Sequence, residues 1–467
     1  MKSSRFILWW VGLFLCSAAL TAGELRLVVT TDLHGALGNY AVLAPAIRER
    51  TKDGNAVVID LGDTVSGVFS SEYAENASGM AEALNLTGTE LWVPGNHDFE
   101  LDPASFRDFV RRFRGTALGG DWRCAGLAGR PFVVIERGGV RCAVIGLTDP
   151  KMPYRLLPGD DMAFVPPLAV LDKVMPQVLA AHPQLVVLAW HNGLYSKLVD
   201  LREVLRRHPG IDVILGGHSH QEHPGRRVGR NTLYIQPGSH GHCAGVVEIR
   251  TDDRSGRITG ITSQLVRGDT ARPDPQLAAL DRQLSLSVAG LYRRPLGNYV
   301  PPRAGERNSS FGRRCAEALR EAANADAALI WIDTGDRAPG QGKLFTYGDL
   351  YRLMPHRNRL CVVTVTRGEA EEFIVEREKL IRRRKWSREL FASGIRLHHL
   401  AGGGVARIDA PERFTLALSG HLIADSRVLR PLADDPQRGF RNLGLLERDA
   451  IADALSRRPE LHAENRP

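Results

Sequence analysis

Short apolar, β-branched runs recur through the first ~265 residues of this chain, separated by helical stretches, and this alternation limits the fold to a layered α/β arrangement. The runs are Leu25–Thr31, Ala56–Leu61, Glu90–Val93, Cys142–Leu147, Leu185–Trp190 and Asp212–Leu215. Most of them end in a particular way. The first is followed by Asp32-Leu33-His34, the second by Gly62-Asp63 and the third by Pro94-Gly95-Asn96-His97-Asp98. The fifth meets His191-Asn192, and the sixth meets Gly216-Gly217-His218-Ser219-His220. In open α/β sheets several strand ends converge on one crevice at their carboxyl edge, so residues delivered there repeatedly form one constellation.

Each piece alone is ambiguous. An Asp-x-His after a strand is commonly a turn closed by its own carboxylate, and Gly-Asn-His-Asp also suits a capped loop. Gly-His-x-His says more, because alternating residues of an extended segment bring two imidazoles to one centre. Together, Asp32, His34, Asp63, Asn96, His191, His218 and His220 offer oxygen and imidazole donors without a thiolate. That is too many donors for one tetrahedral zinc. It suits two divalent ions sharing a bridging carboxylate, with Mn, Zn, Fe and Co all compatible with the donor types. Two such ions ~3.5–4 Å apart clamp the attacking and leaving oxygens of a displacement at phosphorus and activate a bridging water.

These blocks resemble the calcineurin-like metallophosphoesterases, specifically the secreted 5′-nucleotidase and UDP-sugar hydrolase branch. The resemblance implies an αββα sandwich catalytic domain followed by a smaller α/β substrate-binding domain. It also implies that Asp32, His34 and His220 hold one metal, Asn96, His191 and His218 the other, and that Asp63 bridges them. His97 takes the place of the family's catalytic histidine. A carboxylate three residues later orients that histidine, and here it is Glu100 where the branch usually has Asp. The implied activity is hydrolysis of phosphate esters, with nucleotides favoured and cyclic nucleotides, UDP-sugars or other phosphomonoesters as alternatives. His223, His240 and His242 lie just beyond the site in a Gly- and Pro-punctuated region and read as loop residues.

The expected organisation is a signal peptide over 1–23, a catalytic domain over 24–268, a linker over 269–305 and a C-terminal domain over 306–467. Lys2 and Arg5 precede an apolar run from Phe6 to Leu15 and small residues from Ser17 to Gly23, which is the pattern of a cleaved export signal. The apolar core is short against the ~20 residues of a membrane span. Cys16 offers a lipoprotein alternative, although Leu15 before it is larger than such sites take. The expected location is therefore periplasmic or secreted, with no stable span after cleavage. Asp274 to Tyr292 reads as a linker helix with Leu277, Leu280 and Leu284 on one face.

In the second domain the likeness thins. Arg337 matches a family arginine that contacts substrate phosphate, although the Asn-Gly-Gly-Gly-Ile-Arg loop has become Ile332-Asp333-Thr334-Gly335-Asp336-Arg337. Pro355-His356-Arg357-Asn358 stands for Pro-Phe-Gly-Asn, which points to Asn358 as a substrate contact. Of the two phenylalanines that clamp a base in the family, one falls near Phe391, with a register uncertain by a residue, and the other becomes His421.

Composition narrows the remainder. With 43% apolar and 24% charged residues, the chain is neither a polytopic membrane protein nor largely disordered. A net charge of +8 falls to +6 without Lys2 and Arg5, and is spread as scattered Arg, which argues against a nucleic-acid partner. Arg382-Arg383-Arg384-Lys385-Trp386 follows a run of glutamates and reads as a charged, solvent-exposed helix end. Cys124, Cys142, Cys243, Cys315 and Cys361 show no Cys-x-x-Cys spacing; a Cys124–Cys142 bridge is conceivable, and buried free thiols are the simpler reading.

Overall fold

Every one of the apolar runs forms a strand, and the strands divide between two sheets. Glu24–Thr30, Ala56–Asp60 and Thr89–Trp92 pair in parallel within a six-stranded sheet. Val140–Leu147, Leu185–Trp190 and Val213–Gly216 pair in parallel within a second one. The structure is a computed structural model describing residues 23–65, 76–252, 255–299, 309–333, 344–399 and 405–457.

The two sheets face each other. Leu25, Leu27, Val57 and Ile59 of the first share one core with Val144, Val187, Val213 and Leu233 of the second. Helices cover both outer faces: Leu37–Thr51 and Ala77–Leu86 pack beneath the first sheet, Pro167–Ala180 and Leu201–Arg207 beneath the second. This is the expected αββα layering. Strands buried on both faces read as continuous apolar runs rather than as alternating ones, which explains why these six stand out in the sequence. Among the antiparallel additions, Ile258–Val266 and Glu222–Val228 interleave polar residues, whereas Phe132–Arg137 opens with the apolar run Phe132-Val133-Val134-Ile135.

The helix expected as a linker runs Pro275–Tyr292, capped by the Asp274 carboxylate, which accepts from the Leu277 N–H at 2.8 Å. It is a packed part of the first core rather than a free connector. Leu277 and Leu284 are buried among the residues of Leu37–Thr51 and Ala77–Leu86, and a Cβ on Gly79 would stand 2.5 Å from Leu284.

Beyond it a five-stranded sheet runs in the order Arg388–Ser393, Ala327–Asp333, Arg413–Ser419, Arg359–Thr366, Arg441–Leu446. Helices Ser310–Ala323 and Glu447–Arg457 bury one face of it and Arg367–Arg384 the other. The two parts meet through the Arg359 guanidinium, which donates to Asp160 at 2.5 Å. All five cysteines of residues 23–467 are buried and unbridged, and burial pushes the Cys124 thiol up to about 12. No described helix is long and apolar enough to cross a membrane. The expected export signal over 1–22 and Arg337 lie outside the described residues.

Candidate metal centre

The carboxyl edges of both parallel strand sets deliver their polar residues to one place. Asp32, His34, Asp63, Asn96 and His191 are all nearly inaccessible there, while His218 and His220 close the open side. The backbone at the site is unusual. Asp32, His34, Asp63, His218 and His220 have φ of 52°, 47°, 48°, 68° and 58°, the left-handed region that residues with a Cβ avoid. Gly62, at φ 79°, is required as glycine, because a Cβ would lie 2.0 Å from the Gly95 nitrogen. The buried Asp98 carboxylate fastens the two loops together by accepting from the backbone N–H groups of Asp63, Thr64, Val65 and Gly95 at 2.8–3.1 Å.

Donor atoms fall into two neighbouring groups. Asp32, His34 and His220 form one, and Asp63, His191 and His218 the other, with the atoms of each group within 4.8 Å of one another. His34 Nε2 and His220 Nε2 face each other at 3.1 Å, and His191 Nε2 lies 3.1 Å from Asp63 Oδ2. Asp63 Oδ2 is also 3.9 Å from His34 Nε2, so this carboxylate stands between the groups. Asn96 Oδ1 lies 2.8 Å from His218 Nδ1. The Leu61 carbonyl, 2.5 Å from His191 Nδ1, orients that ring so that Nε2 points inward.

Two buried atoms that face the centre, Asp32 Oδ1 and His191 Nε2, make no well-aligned hydrogen bond, although His220 Nε2 and Asp63 Oδ2 lie 3.3 and 3.1 Å from them. Orphaned buried polar atoms are costly, and a divalent cation is what a set of carboxylate, imidazole and amide donors would satisfy. The residues present fit a metal.

His97 sits at the rim. Its backbone N–H donates to Asp63 Oδ1 at 2.8 Å, and its Nδ1 lies 2.7 Å from Glu100 Oε1. The longer arm of glutamate therefore reaches. Burial opposes charge on this imidazole, but Glu100 and Asp63 lift it to about 9.

Residues 25–222 match the family described as calcineurin-like phosphoesterase. The chain carries a calcineurin-like metallophosphoesterase domain. The chain is 26% identical over 430 residues to a Treponema pallidum protein described as a probable 5′-nucleotidase, covering 73% of this chain and 70% of that one. A 5′-nucleotidase of Rattus norvegicus is 20% identical over 336 residues, which span 62% of this chain and 58% of the relative. A solved 5′-nucleotidase precursor from Thermus thermophilus shares the fold with a TM-score of 0.64 at 21% identity, covering 93% of this chain and 96% of that one.

From the candidate metal centre a cleft of about 280 Å³ opens towards the five-stranded sheet, between His97, Arg155 and His218 on one side and His356, Arg388 and His421 on the other. Asn358 lines it and donates to Glu447 at 3.4 Å. His421 lines it as well, with Nε2 3.4 Å from Asp425; burial holds this imidazole down to about 4. Phe391, expected beside the substrate, is instead in the core, 2% exposed against Gly312, where a Cβ would lie 2.4 Å from its ring. The alternation of the strand explains this: Arg388 lines the cleft and Phe391, an odd number of residues on, points to the other face.

Several cleft residues were not singled out for the site by the sequence. His356 stacks on His97 with ring centroids 5.4 Å apart and an interplanar angle of 13°. Arg377 comes from the helix Arg367–Arg384, and Trp386 lies just past its end, in a segment that reads as solvated charge. His240, expected as a loop residue, has its ring centroid 5.4 Å from that of His34.

Proposed function

We propose that this chain is an exported phosphoesterase with a binuclear metal centre, hydrolysing phosphate esters with nucleotides as the favoured substrates. In this reading residues 24–268 form the catalytic domain, 269–305 the linker and 306–467 the substrate-binding domain. The observation that carries it is the meeting of seven donors from five strand ends with His97 at the mouth of the cleft. Asp32, His34 and His220 would hold one ion, Asn96, His191 and His218 the other, and Asp63 would bridge. When bound, the ions supply Lewis acidity towards phosphoryl oxygens and activate water. His97, held by Glu100, donates a hydrogen bond to the transferring phosphoryl group and assists the leaving oxygen. Arg337 and Asn358 hold the ester from the second domain, and His421 contributes to its leaving-group side.

The test is phosphate release by the purified chain with Mn²⁺ from AMP, a cyclic nucleotide, a UDP-sugar and p-nitrophenyl phosphate. Turnover that disappears with a chelator and returns with metal supports the hydrolase, and preference for AMP supports nucleotides. Metal-independent turnover, or none from any ester with two metals bound, rejects the reading. A second reading, the same chemistry on esters without a base, is favoured by the burial of Phe391.

A further inference from the structure

The far wall of the cleft carries cations that no carboxylate pairs with directly. Arg377 is 6% exposed, lines the cleft, and has a buried Nε without a hydrogen-bond partner. Neither Arg377 nor Arg388 forms an ion pair or side-chain hydrogen bond among the described residues. Arg155 and His421 share the same cleft.

The carboxylates facing this wall are engaged elsewhere. Asp425 lies 3.7 Å from Arg155 and 3.4 Å from His421. Glu376 accepts from the Ser426 hydroxyl at 2.6 Å and from Arg427. Glu100 holds His97, and Glu447 accepts from Asn358, while burial pushes its carboxyl up to about 7. Asp333 sits across the strand pair from Arg388, and its charge and that of Glu447 partly offset the burial of that guanidinium. Burial pushes the Arg377 guanidinium down to about 10, with Arg388 adding repulsion.

Trp331 and Trp386 both line the cleft, and the Trp386 ring is already occupied. Arg388, Arg377 and Arg384 place their guanidinium carbons 4.7, 5.6 and 5.7 Å from the Trp386 ring centroid. Trp386 is thereby a rigid mount for the Arg377 and Arg388 forks of N–H donors, the geometry that suits a planar or tetrahedral anion.

We propose that Arg377 and Arg388 bind a second anionic group, a phosphate or carboxylate, carried by the leaving-group portion of the phosphate ester. The inference rests on the phosphoesterase reading above and gives it a substrate class: esters bearing a second negative charge.

The experiment compares matched esters on the metal-loaded full chain: phenyl phosphate against 4-carboxyphenyl phosphate, and glycerol 3-phosphate against 3-phosphoglycerate. For at least one pair the anion-bearing member is expected to have a kcat/KM about tenfold higher, most of it in KM, since a hydrogen-bonded charge is worth about that much. Arg377→Gln and Arg388→Gln should each collapse the ratio, and Arg→Lys at the same positions should restore part of it. Equal kcat/KM within both pairs, or a ratio that survives in both glutamine variants, overturns the inference. Arg388, less buried than Arg377, answers the question if Arg377→Gln does not fold. Calorimetric binding of phenylphosphonate and 4-carboxyphenylphosphonate separates the two readings. Arginine-dependent tighter binding of the carboxylated compound without turnover of any ester keeps the anion subsite and rejects the hydrolase. Turnover without discrimination does the reverse.

Discussion

The two walls of the cleft were built in different ways. On the catalytic side every donor sits a few residues at most beyond a strand, so the sheet itself fixes its position. On the opposite side Arg377 comes from a helix, Arg388 from a strand edge, His356 and Asn358 from a loop and His421 from a short helix. A site made of strand ends is written in consecutive residues, whereas one made of mixed elements exists only once tertiary packing has brought them together.

The sharpest way to break this contrast is Phe391→Ala. As a core residue its truncation should cost about 3–5 kcal/mol of stability, read by urea denaturation, with little change in KM. A raised KM on an unchanged unfolding midpoint would return Phe391 to the substrate wall. On the other side, His97→Ala should lower kcat about 10²–10³-fold while the metal content, measured by plasma mass spectrometry, stays intact. Loss of metal with activity would make it a ligand rather than a phosphoryl-stabilising group. Glu100→Gln should be milder, about tenfold in kcat, as expected for a residue that orients another. An effect as large as that of His97→Ala would show that Glu100 itself touches the substrate. Smallest of all is Arg359→Ala, which removes the partly exposed contact to Asp160 between the two parts of the molecule. A change of at most about 1 kcal/mol is expected, and faster proteolysis between the parts would show that the contact holds them together.

Legibility in the sequence follows the same division. The strand runs could be read because burial on both faces makes them continuously apolar, and the donors because each follows such a run. Ile258–Val266 and Glu222–Val228 could not, since strands with an exposed face interleave polar residues. The helix Pro275–Tyr292 was legible as a helix but not as a core element, because its apolar face says nothing about what covers it. Phe391 was misplaced because a register error in a strand reverses the side that every residue faces. Arg377 and Trp386 stayed hidden among charges: Glu369 to Lys385 has the composition of a solvated helix, and only the fold turns part of that surface inward.

Five donor residues hold left-handed backbone. Each such residue costs roughly 1–3 kcal/mol, a cost met during folding by the surrounding network rather than at the moment of binding. The entropy of gathering the donors is therefore spent in advance. A site whose donors are held in this way binds by occupancy of a rigid socket, with little change in shape.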